Sequence, residues 1–79
     1  MSPTVFREGP YRFLFFSREE PRKHVHVISS EGEAKFWLEP EVELAVGKGL
    51  STQALKIVSE IVEKRKQEII DAWYQHFSG

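Results

Sequence analysis

Cysteine is missing from all 79 positions, which excludes a disulfide framework, a thiolate metal site and a cysteine nucleophile together. No uninterrupted apolar run approaches the ~18 residues that a membrane-spanning helix needs. The opening MSPTVFREGP also lacks the charged-then-apolar pattern of a secretory signal. These absences lead us to expect a cytoplasmic protein with no membrane association. Charge of one sign is lacking as well: 11 basic against 12 acidic residues leave a formal charge of −1, so no large basic field awaits nucleic acid phosphates. There is no glycine-rich phosphate loop, nucleophile elbow or helical His-Glu motif, and we expect no cofactor. Without repeats, low-complexity stretches or linkers, residues 1–79 read as a single domain. A chain of this size buries roughly 60% of its unfolded surface and has a stability on the order of 4 to 12 kcal/mol.

What is present divides into strand-like and helix-like halves. TVFRE and YRFLFFS are rich in β-branched and aromatic residues and flank the turn signal Gly9-Pro10, so they predict a hairpin. REEPRK reads as a charged loop. HVHVIS and AKFWL predict two further strands joined tightly around Gly32, with Pro40 ending the pairing. VELAV alternates Val42, Leu44 and Val46 with Glu43 and Ala45 and predicts a short fifth strand. Ser51 is a good N-cap, and no glycine or proline interrupts Thr52 to Phe77, where Leu55, Val58, Ile61, Val62, Ile69, Ile70, Trp73 and Phe77 recur at helical spacing. The expected fold is α+β: an antiparallel sheet of four to five strands over about residues 4–46, then one long C-terminal helix over about 52–77 packed on one face. At 1.5 Å per residue such a helix runs roughly 39 Å, twice a typical strand, so part of it should overhang the sheet. The polar stretch EKRKQE, Glu63 to Glu68, leaves a gap in its apolar stripe.

Side chains alternate across a strand, so Val25 and Val27 should face the helix while His24, His26 and Ile28 face away. If Ser29 closes on Ala34, Val27 lies opposite Phe36, Val25 opposite Leu38, His26 opposite Trp37, Lys35 opposite Ile28 and Glu39 opposite His24. A one-residue slip would set Phe36 against His26, apolar against polar. The second strand is apolar on both sides: Tyr11, Phe13 and Phe15 on one, Leu14 and Phe16 with Arg12 on the other. One helix covers only one face, so Leu14, Phe16 and Trp37 with Ile28 form an exposed apolar patch that predicts a binding surface. Its occupant is either a second copy, making a homo-oligomer, or a small protein partner. The competing reading is that the helix overhang, the chain ends or the loop from Ser17 to Arg22 covers it.

The two histidines of HVHV lie about 6.6 Å apart at Cα and could converge on one ion. Only Glu39 offers a further ligand, so His24, His26 and Glu39 make a weak metal candidate, with His76 of a neighbouring chain as a supplement. Alternatively, His24 and His26 could serve as acid and base in metal-independent RNA cleavage, with Lys35 stabilising phosphorane charge and Trp37 stacking a base. Histidines decorating a solvent or partner face are the plainest reading. Lys64 to Lys66 and Glu39, Glu41 and Glu43 read as solvated charge.

The order SPTVFREGPYRFLFFS, HVHV, EAKFWLEP, GLS and a helix closing on AWYQHF resembles the small prokaryotic domain-of-unknown-function family numbered 4160, over nearly the whole chain. The resemblance implies that His24, His26, Lys35, Phe36 and Trp37 are signature positions. It carries no established activity. Its members look like small genes that often lie beside another small gene, an arrangement similar to toxin–antitoxin modules. Members commonly carry a Pro-Pro pair before the histidines, whereas here Pro21 is followed by Arg22 and Lys23, which implies a looser approach to that strand. The leading expectation is an interaction module in a toxin–antitoxin-like pair; a ribonuclease and a small metal-binding domain are the alternatives.

Overall fold

The β-rich half folds as a meander. In the computed structural model, which describes residues 4–16 and 21–77, five antiparallel strands stand in the order β1-β2-β3-β4-β5. They are β1 (Thr4–Glu8), β2 (Tyr11–Leu14), β3 (His24–Ile28), β4 (Glu33–Trp37) and β5 (Glu43–Lys48). Gly9 turns the first hairpin at φ 58°, a conformation that costs glycine little. Phe6 stacks on Phe13 across it, centroids 4.5 Å apart. The ladder of β2 stops at Leu14, earlier than expected. Phe15 continues into the core without a strand partner, at 1% exposure, and Ser17 lies outside the described residues.

The central hairpin corrects the expected register. Ser29 N–H donates to the Gly32 carbonyl at 2.9 Å, so only Ser30 and Glu31 form the loop and pairing begins at Ile28 with Glu33. Val25 therefore lies opposite Phe36, His24 opposite Trp37 and His26 opposite Lys35. This is a slip of two residues from the expected pairing, and a slip of two preserves every face. The cause is a close approach: a Cβ on Gly32 would sit 2.7 to 2.8 Å from the backbone of Gly49 and collide with the Lys48 carbonyl. The turn is thus the tight one that lets Gly32 lie against the end of β5.

A second correction concerns β5. Lys35 pairs with Val46 and Phe36 with Leu44, leaving Ala45 as an extra, bulged residue. A bulge shifts the alternation by one. Val42 and Leu44 consequently share the helix side with Phe36, whereas Val46 turns to the opposite face beside Lys35; the expected common face of Val42, Leu44 and Val46 is split.

The expected single helix is two, α1 (Thr52–Lys64) and α2 (Lys66–Phe77). Ser51 caps α1 as predicted, its Oγ accepting from Ala54 N–H at 3.0 Å. The helices meet at Arg65, with φ −106° and ψ 21°. The ladder bonds on either side persist, Arg65 N–H to Ile61 and Ile69 N–H to Arg65, so the junction is a kink. Its location follows from the polar gap, where no apolar side chain holds the helix to the sheet. Arg65 instead reaches β1: its guanidinium lies 3.5 Å from the Phe6 centroid and bonds Glu8 at 3.1 Å and Glu68 at 2.8 Å. The core between sheet and helices comprises Phe13, Phe15, Val25, Val27, Phe36 and Leu38 against Val58, Val62, Ile69 and Trp73. The valines face the helices as the alternation predicts.

Candidate functional site

The strand registers define the face opposite the helices row by row. One row runs Arg7, Arg12, Ile28, Glu33, Lys48; the next holds Leu14, His26, Lys35, Val46; the last holds His24, Trp37, Glu43. Arg22 joins it from the approach to β3, its guanidinium 4.3 Å from the Trp37 centroid. Lys35 Nζ lies 4.4 Å from the same centroid, so the Trp37 π-system is already engaged by two cations.

His24 proves to be the opposite of a surface histidine. It is 0% exposed and enclosed by rings: His26 at 5.2 Å, Trp37 at 5.5 Å and Trp73 at 5.2 Å between centroids. Its Nδ1 lies 2.6 Å from the Arg22 carbonyl; since a carbonyl only accepts, that nitrogen carries the proton. Trp73 also meets Phe15 edge-on at 5.4 Å, so α2 closes the end of the sheet and touches side chains from both faces. The kink at Arg65 replaces the expected overhang with this closure.

The remaining predicted residues separate. Leu14, expected in the exposed patch, is 2% exposed, whereas Phe16 is 37% exposed and packs against His26 at 4.2 Å. Trp37 is half-buried. Glu39, expected beside His24, is drawn elsewhere by the register change: its carboxylate lies 3.4 Å from Lys23 Nζ. Among the described residues no three ligand-type side chains gather around one point. The Tyr74 hydroxyl, and then the Glu39 carboxylate, hold the Lys23 ammonium above its ordinary pKa, against an opposing effect of desolvation. Arg65 is likewise raised, through Glu68 first and then Glu8.

What the face does form is a mainly apolar hollow of about 190 Å³, whose lining includes Phe16, Ile28 and Val46 together with His26, Lys35 and Glu33. Val46 is 40% exposed. Neither Val46 nor Arg22 was legible as part of this site, Val46 because the bulge at Ala45 redirects it and Arg22 because its partner Trp37 is distant in sequence.

Fold and site together define a small α+β protein: a five-stranded antiparallel meander backed by a kinked helix pair, with a cationic and partly apolar second face. The chain belongs to the family described as Domain of unknown function (DUF4160), whose model matches residues 11–74. No curated protein matches the chain, and no solved structure does. None of its described helices is long and apolar enough to cross a membrane.

Proposed function

We propose that the protein is a cytoplasmic interaction module that binds a second small protein through the sheet face opposite its helices, as one member of a toxin–antitoxin-like pair. The observation that carries this reading is the hollow: Phe16 and Val46 are more than one-third exposed at its rim, and neither α1 nor α2 contributes a residue to its lining. Large side chains in such a position gain affinity when a partner desolvates them. Catalysis on RNA is less well supported, because an acid or base must reach its proton and His24 is sealed beneath three rings with Nδ1 committed to a carbonyl.

The test is co-purification with the product of the adjacent gene, followed by mass measurement in solution. A one-to-one complex that is lost in Val46→Glu, with circular dichroism and thermal midpoint retained, is the expected result. A complex that survives both Val46→Glu and Phe16→Glu would overturn the assignment of the face.

A further inference from the structure

The charge of the second face is unlike that of the rest of the chain. It holds Arg7, Arg12, Arg22, Lys35 and Lys48 against Glu33 and Glu43, a surplus of three positive charges on a chain whose formal charge is −1. Of the 11 basic and 12 acidic residues, Arg18, Glu19 and Glu20 lie outside the described segments. Five basic and eight acidic residues therefore remain for the other described surfaces. Within the hollow Lys35 is offset by Glu33, so the surplus lies on the face around it, where Arg12 and Lys48 share the row of Ile28 and Glu33. Complementary potentials steer association and exclude wrong partners.

We infer that this face takes an acidic protein segment bearing one large apolar side chain. The apolar group sits between Phe16, Ile28 and Val46, and the flanking carboxylates lie toward Arg12, Lys35 and Lys48. The inference rests on the proposed interaction function and adds the chemistry of the partner. A hollow of about 190 Å³ falls below the roughly 300 to 1,000 Å³ of small-molecule pockets, and it suits a single anchor residue. Two other occupants fit less well. A nucleic acid base stacking on Trp37 must displace Arg22 or Lys35 from its ring. In a second copy of this chain, the acidic surfaces lie on the helix and loop side, so the contact would be head-to-tail and could not be the self-complementary one of a two-fold dimer.

A random-peptide display library selected against the full-length protein tests the inference. Enriched peptides should be net negative with one large aliphatic or aromatic residue. Their affinity, read by fluorescence anisotropy, should fall at least tenfold in Lys35→Glu and in Val46→Glu, and should weaken as salt rises. Lys48→Glu is the second charge variant should Lys35→Glu fail to fold. Enriched peptides that are basic or neutral, yet still lose binding in Val46→Glu, would overturn the acidic partner while leaving the interaction face standing. Peptides indifferent to every variant, or a library with no binder, would remove both. Tighter binding of a short single-stranded oligothymidylate than of the best peptide would reassign the positive charge to phosphates.

Discussion

His24 illustrates how far a residue's identity is from its role. Set between Lys23 and Val25 at the start of β3, it has the parity of the outer face, yet Trp73 from the far end of the chain lies over it. Its ring is packing material with one directed hydrogen bond. Truncation in His24→Ala leaves a void among three rings and should cost about 3 kcal/mol, as for other large buried side chains. His24→Phe keeps the volume but strips the Arg22 carbonyl of its donor, at about 1 to 3 kcal/mol. Urea unfolding monitored by tryptophan fluorescence reads both. A His24→Ala midpoint equal to that of the wild type would mean that the ring contributes nothing to the packing.

At the scale of elements, the helix pair is held at its bend and near its end by charge. Arg65 joins the kink to β1 through Glu8 and Phe6, so Arg65→Ala should lower the thermal midpoint more than Lys64→Ala, whose side chain sits on an exposed position. The difference should shrink in high salt, because ion pairs are screened whereas the core is not. Near the end, Lys23 Nζ lies 4.8 Å from the Tyr74 centroid, tying α2 to the start of β3. Its pKa is raised on folding, so the folded state holds this proton more tightly than the unfolded chain. The contribution is complete below the ordinary value of 10.5 and is lost as pH climbs through the higher folded value. Thermal melts taken across that alkaline range should fall less steeply for Lys23→Met than for the wild type; parallel curves would count against the tie.

The elements themselves were legible because their periods are strong: the five strand segments and the faces of β2, β3 and β4 follow from alternation, and the Ser51 cap from its place ahead of the helical spacing. What escaped depends on contacts between distant residues. The two-residue register slip reflects Gly32 meeting Gly49, and alternation is blind to a slip of two because it leaves each face unchanged. The kink was visible only as a polar gap; nothing local said that Arg65 would reach Glu8. The bulge at Ala45 has no sequence mark beyond the small size of Ala45 itself, yet it decides that Val46 belongs to the hollow.

For the whole molecule, the two sheet edges decide how copies of the chain meet. Both edge strands carry a bulge, Val5 in β1 and Ala45 in β5. Bulges twist an edge away from the flat geometry that templates another strand. β5 needs such protection most, since Leu44 and Val46 are 45% and 40% exposed and outward backbone groups lie beside them. Deleting Ala45 should restore an unbroken ladder, with Leu44 still opposite Phe36 and Val46 still opposite Lys35, so the faces survive while the edge straightens. The deletion variant should then grow in mass with concentration by light scattering and gain β-sheet signal, whereas the wild type should not extend through this edge. Adding Glu at Leu44 to the same deletion should reverse the growth, because like charges would oppose one another across the new contact. A deletion variant that keeps the wild-type mass at every concentration would show that the bulge serves only to aim Val46, and that the exposed edge is held apart by its terminal charges, Glu43 and Lys48.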